Sequence, residues 1–114
     1  MSDCVFCRII DREIPSKIAY EDDQVLIFHD IEPEAPIHLL AIPKKHIVNL
    51  SYASADDTMI LGHLQQAIGK VAEELAFSDQ GYRVISNCGK GAGQEVMHLH
   101  YHIMSGRPFA WPPG

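Results

Sequence analysis

Three of the chain's seven histidines stand at alternate positions, His98, His100 and His102, followed by Ile103 and Met104. On a β-strand, side chains two apart point the same way, about 6–7 Å apart. The run therefore predicts three imidazoles on one face of a strand, with Leu99, Tyr101 and Ile103 on the other. Histidine is a middling strand former, so such a row adds nothing to a strand. It suits metal binding, proton transfer or nucleophilic attack near neutral pH. His100, with a neighbour on each side, is the candidate nucleophile. Attack through one ring nitrogen requires the proton on the other, and a backbone carbonyl accepting that N–H would fix the tautomer. If the group under attack is a phosphoryl, as the glycine-rich run Gly89–Gly93 would allow, His102 would contact its oxygens or the leaving atom, stabilising charge or supplying a proton.

Other residues could join this chemistry. His38 lies in an apolar stretch and needs a polar partner if buried, either the other histidines or a structural hydrogen bond. Gly89–Gly93 holds three glycines and an alanine in five positions. It reads either as a flexible connection or as a phosphate cradle whose amides turn inward. It is not a Walker loop, which needs Gly-Lys-Ser/Thr opening a helix. Cys4 and Cys7 have the spacing of a zinc half-site that needs two further ligands, or are two half-buried thiols of a first helix. Three histidines along one strand are spaced poorly for a single tetrahedral ion with bonds of about 2 Å, which argues against a zinc hydrolase using them as ligands.

The elements that must position these groups follow from periodicity. Residues 4–12 read as a short amphipathic helix ending before Pro15. Residues 16–21 and 24–29 read as a hairpin turning at Asp22 and Asp23, and residues 37–42 as an apolar strand closed by Pro43. Ser54 and Asp57 resemble a capping box opening a helix that runs to about Phe77, with Ile60, Leu61, Leu64, Ile68, Val71, Ala72 and Leu75 at helical spacing. His63, near its apolar edge, reads as structural, and Cys88 as packing. Residues 82–88 and 97–104 complete five strands. The proline-rich tail after Arg107 cannot be helical and predicts an extended arm. The fold class is α+β: a five-stranded, mainly antiparallel sheet with one long and one short helix, in a single domain spanning residues 1–114.

Composition narrows the function. A net charge of -6 argues against gripping nucleic-acid backbones, since counterion release needs clustered Lys and Arg. No apolar stretch approaches membrane-span length and no signal pattern opens the chain, so a cytoplasmic protein without a membrane partner is expected. An odd number of cysteines, three, fits a reducing compartment better than a disulfide framework.

The chain resembles the histidine triad family on several motifs together. These are Ile9-Ile10 with Glu13-Ile14-Pro15, Phe28 to Ile31, Ala35-Pro36 through Ile42 to His46, Gly93 to Val96, and His98 to His102. Trp111 to Gly114, reading Trp-Pro-Pro-Gly, resembles its nucleoside phosphoramidase (Hint) branch. The resemblance implies a homodimer joining two sheets into a ten-stranded surface, and hydrolysis of purine nucleoside 5′-phosphoramidates through a nucleotidyl–histidine intermediate. By position, His100 matches the nucleophile, with His38, His98 and His102 completing the cluster. Phe6, Ile9, Ile14, Phe28 and Ile31 match the slot for the base, although core packing reads equally well for Ile9 and Ile14. Asp30 matches the ribose acceptor, beside His29, while Asn87, Gly93, Glu95 and Val96 match the phosphate side. Zinc-bearing members use residues matching Cys4, Cys7, His46 and His98, which implies a structural zinc, with no cofactor needed for catalysis. His98 would then serve the site through its backbone carbonyl. Hydrolysis of dinucleoside polyphosphates or other nucleotide adducts, and a non-catalytic nucleotide-binding scaffold, are the alternatives.

Overall fold

The central strands are apolar on both faces, and this decides the architecture. In a computed structural model describing residues 3–114, β2 (Val25–His29) and β3 (Ile37–Pro43) are almost wholly buried. They alternate between two cores. Val25, Ile27, Leu39 and Ala41 face α2 (Thr58–Glu74) and meet its Leu64, Ala67, Ile68, Val71 and Ala72. Leu26, Phe28, Leu40 and Ile42 face the short α1 (Val5–Ile10) and meet Phe6 and Ile9. A sheet covered on both sides must be apolar on both, which is why these runs do not alternate with polar residues. With β1 (Ile18–Glu21), β4 (Tyr82–Ile85) and β5 (Tyr101–Ser105), the sheet order is β1-β2-β3-β5-β4, antiparallel throughout.

The hairpin turns where expected. Asp22 Oδ1 accepts from the Gln24 and Val25 N–H groups, and its Oδ2 lies 2.6 Å from His63 Nε2, tying α2 to the turn. His63 thus has the structural role anticipated for it. The Ser54–Asp57 capping box is present, but it opens a single 3₁₀ turn, Ala55–Asp57, and α2 proper starts at Thr58. The helix ends at Glu74, earlier than expected, and Leu75 is 46% exposed. The tail beyond Ser105 carries neither helix nor strand. Among the described residues no helix is long and apolar enough to cross a membrane.

The histidine strand is shorter than its pattern implied. β5 begins at Tyr101, so His98 and His100 lie before the ladder rather than in it, and His98, Leu99 and His100 are all buried. The reason lies in β3. Pro43 has no N–H to extend the pairing, and its carbonyl accepts from the His98 ring instead of from a strand. The Leu99 N–H turns to the Ile47 carbonyl, 2.6 Å away. β4 likewise stops at Ile85, and the Ser86 hydroxyl donates to the His100 carbonyl.

Candidate active site

β3 and β5 set the histidine cluster. Leu40 pairs directly with His102 and His38 with Met104, so His38 and His102 are diagonal neighbours on the α1 face. Their rings lie 5.1 Å apart, and the His100 ring is 5.1 Å from that of His102. Phe6 closes the row from α1, meeting His100 edge-on at 5.1 Å and Phe28 at 5.6 Å.

The proton positions follow from groups that can only donate or only accept. The Glu34 N–H donates to His38 Nδ1 at 2.9 Å, so the neutral His38 ring carries its proton on Nε2. That N–H points at His102 Nδ1, 2.9 Å away, and lies 3.4 Å from Asp30 Oδ2. His102 Nδ1 is therefore an acceptor, and its proton sits on Nε2. On the other side, His100 Nδ1 donates to the His98 carbonyl at 2.7 Å, leaving a lone pair on His100 Nε2. The site thus holds a nucleophilic nitrogen on His100 and an N–H donor on the adjacent His102. Burial, with the His100 and His38 rings beside it, pushes His102 down to about 4. Burial also lowers His38, against the opposing pull of Asp30 and Glu34. Both are neutral near pH 7, as this relay requires.

His98 faces elsewhere. Its Nε2 donates to the Pro43 carbonyl at 2.8 Å, so its Nδ1 lone pair is turned toward Cys4, Cys7 and His46. The fully buried ring is held down to about 4 by burial. His98 Nδ1 lies 3.4 Å from Cys4 Sγ, 3.6 Å from Cys7 Sγ and 3.1 Å from His46 Nδ1, and Cys7 Sγ is 3.3 Å from His46 Nδ1. A tetrahedral zinc with bonds of about 2.3 Å to sulfur and 2.0–2.1 Å to nitrogen sets neighbouring ligand atoms about 3.3–3.8 Å apart. The donor types fit, the sulfur-containing pairs at 3.3–3.6 Å fall within that spacing, and the two nitrogens at 3.1 Å lie slightly inside it. The Pro43 carbonyl orients the His98 ring as an outer-shell acceptor does. Asp30, His38 and His102 also gather ligand atoms closely, but the Glu34 N–H keeps a proton on His38 Nε2, so they form a hydrogen-bond relay.

The remaining expected residues divide. Phe6, Ile9 and Phe28 are buried together, with Ile14 and Val96 packed against them. For Ile9 and Ile14 this packing is the core reading. Asp30 is largely covered, its Oδ1 accepting from the Glu32 N–H. Two residues are not gathered. Ile31 is 92% exposed, outside the apolar cluster, because the turn after β2 swings it into solvent. His29, opposite Leu39 in the ladder, lies on the face away from Phe28 by strand alternation. Asn87 is half-buried, and Gly93 and Glu95 are exposed. A cavity of about 520 Å³ runs beside Cys4 and His46, and of the nucleotide set it includes only Glu95 and Val96.

The glycine loop is built differently from the amide cradle. Lys90–Ala92 is a 3₁₀ turn closed by Gly93 at φ 87°, a left-handed position suited to glycine. The amides of Ala92, Gly93 and Gln94 bond within the loop. The Gly89 amide donates to Gln94 Oε1, which also accepts from Asn49 Nδ2, while Gln94 Nε2 donates to the Val48 and Val96 carbonyls. Gln94 is thus the organising residue that sequence reasoning missed. Its one signal was an uncharged, four-bond-capable side chain next to a glycine run. Cys88 is half-buried, its Sγ 3.4 Å from Ser51 Oγ.

Fold and site together define a histidine triad domain, a conclusion that comparison with known proteins supports. The HIT domain family model matches residues 11–109, and the chain belongs to the HIT family. It is 51% identical over 98% of its length to an uncharacterised HIT-like protein of Synechocystis sp., covering 97% of that protein. It superimposes on a HIT family hydrolase from Clostridium thermocellum with a TM-score of 0.93 and 48% identity, covering 96% of each chain. A hypothetical histidine triad nucleotide-binding protein from Sulfolobus tokodaii gives 0.77 and 35%, covering 90% of this chain and 68% of that one.

Proposed function

We propose that this chain is a nucleotide hydrolase of the phosphoramidase branch, cleaving purine nucleoside 5′-phosphoramidates to the 5′-monophosphate and an amine. The observation that carries the reading is the His98 carbonyl holding His100 Nδ1–H, which leaves Nε2 as a lone pair beside the His102 donor. His100 Nε2 attacks phosphorus, the P–N bond to the amine breaks, and the positive charge on the ring is stabilised by the His98 carbonyl. The neutral His102 Nε2–H donates to a phosphoryl oxygen or the leaving nitrogen as charge develops. The amine departs in this first step with the proton His102 supplies. Water then attacks phosphorus as the bond to His100 Nε2 breaks, its oxygen ending on phosphorus. One of its protons restores His102 and the other passes to solvent, so both histidines are regenerated. Phe6, Ile9, Phe28 and Ile14 offer the apolar surface for the base, and Asp30 a carboxylate for the ribose hydroxyls.

Two features complete the reading. Cys4, Cys7, His46 and His98 would hold a structural zinc, which would pin the short α1 and its Phe6 to the histidine segment. A second copy joins through the β4 edge, an open strand at the end of the sheet where Val84 is 38% exposed. The test is AMP release from adenosine 5′-phosphoramidate by the purified protein, beside His100→Ala. Turnover in the wild type that is lost in the variant upholds the reading. AMP binding without turnover in the wild type overturns it in favour of a nucleotide-binding scaffold.

A further inference from the structure

The relay from His38 to His102 depends on a backbone N–H in a loop, and that loop is held from the far end of the chain. Glu34 lies between Pro33 and Pro36, ahead of β3. Its N–H fixes the His38 tautomer, while its carbonyl accepts from Arg107 Nε at 3.2 Å. Arg107 is itself restrained. Its guanidinium lies 4.5 Å from the centroid of the Phe109 ring, and its Nη1 donates to the Pro108 carbonyl. Arg83 of β4 lies over the same ring at 5.3 Å, so Phe109 sits against two cations. One residue earlier, Gly106 adopts φ +97°, and a Cβ there would lie 2.8 Å from Pro36 Cβ. The exit of β5 therefore packs on the 33–36 loop with no room for a methyl group. The loop itself carries Glu34 and follows Asp30 and Glu32, a local charge that suits a cation.

We propose that Arg107 is a positioning residue for the active site: by holding the Glu34 carbonyl it keeps the Glu34 N–H on His38 Nδ1, and so keeps His102 an Nε2–H donor. The consequence of losing it follows from the inventory of donors. Without the Glu34 N–H, a neutral His38 can place its proton on Nδ1 and turn a lone pair toward His102. His102 must then carry its own proton on Nδ1, and its Nε2 becomes an acceptor facing phosphoryl oxygens. The donor of the proposed reaction would be converted into a repulsive lone pair by a change at the chain's far end. For its catalytic consequence this inference rests on the function proposed above. Its structural claim, the tautomer, can be read without any substrate.

The experiment compares the wild type with Arg107→Ala, Arg107→Lys and Gly106→Ala in the full chain. Imidazole ¹⁵N spectra assign the tautomers of His38 and His102, and turnover of adenosine 5′-phosphoramidate gives kcat and KM separately. The wild type is expected to show both rings as Nε2–H. Arg107→Ala should move part of the His102 population to Nδ1–H and lower kcat roughly three- to tenfold, the scale of one hydrogen bond, with KM little changed. Arg107→Lys should fall between the two, and Gly106→Ala, which drives a methyl into Pro36, should move the tautomer further. An unchanged His102 tautomer in Arg107→Ala overturns the proposal, whatever happens to kcat. If the wild type shows no turnover while the tautomer still shifts, the positioning role stands and the proposed reaction falls.

Discussion

Replacing Gln94 by alanine tests whether the glycine loop is organised from within. The side chain is buried, 6% exposed, and makes four hydrogen bonds, to Asn49 Nδ2, the Gly89 N–H, and the Val48 and Val96 carbonyls. A neutral bond of this kind contributes about 0.5–1.5 kcal/mol net, so four bracket about 2–6 kcal/mol. The half-buried backbone partners can regain water, whereas Asn49 is buried and cannot, which places the expected loss near 3 kcal/mol. At an unfolding entropy of about 2.1 cal/mol/K per residue, the 114 residues give about 0.24 kcal/mol/K, so the midpoint should fall by about 12 °C. Calorimetry and urea titration measure this directly, and Gln94→Glu adds a control that keeps the size but exchanges the two amide donors for an acceptor. A Gln94→Ala midpoint within about 3 °C of wild type, on the same entropy scale, would refute the reasoning, because the loop would then hold its shape without the side chain.

Two further outcomes follow from the two histidine clusters. Protein purified without chelator should carry close to one zinc per chain; chelation should lower its thermal midpoint, and Cys7→Ser should weaken zinc binding. Well under one zinc per chain would contradict the metal reading. His102 is held neutral down to about 4, whereas an unfolded histidine protonates near 6.5. The unfolded chain therefore binds more protons between these values, and the stability contributed by this burial, complete above about pH 6.5, is lost as pH falls toward 4. Between pH 7.5 and 5 the wild type should lose roughly 1–2 kcal/mol more than His102→Phe, read from urea midpoints, and equal losses would refute the shift.

Much of the fold was legible because it rests on periodicity. The α2 pattern and the hairpin at Asp22 followed from spacing alone, and so did the apolar β3. Element ends were less legible. Pro43 was expected to close β3, but not to end β5 at Tyr101 as well, since that depends on which strand lies opposite. The glycine loop misled because composition reports flexibility and not which amides are already bonded. Ile31 and His29 match a motif by position, yet a turn and a strand face carry their side chains away from the cluster.

The sequence by itself determined which chemical groups are present and which chain segments can meet: the alternate histidines, the Cys4–Cys7 pair, the apolar runs that bury them. Tertiary structure alone decided where the protons sit and which cluster each histidine joins. His38 takes its tautomer from the Glu34 N–H, His98 from the Pro43 carbonyl and His100 from the His98 carbonyl. Every one of these partners is a main-chain atom. Main-chain donors and acceptors are nearly the same at every residue, so their use leaves no trace in residue type and is fixed only when the chain is folded.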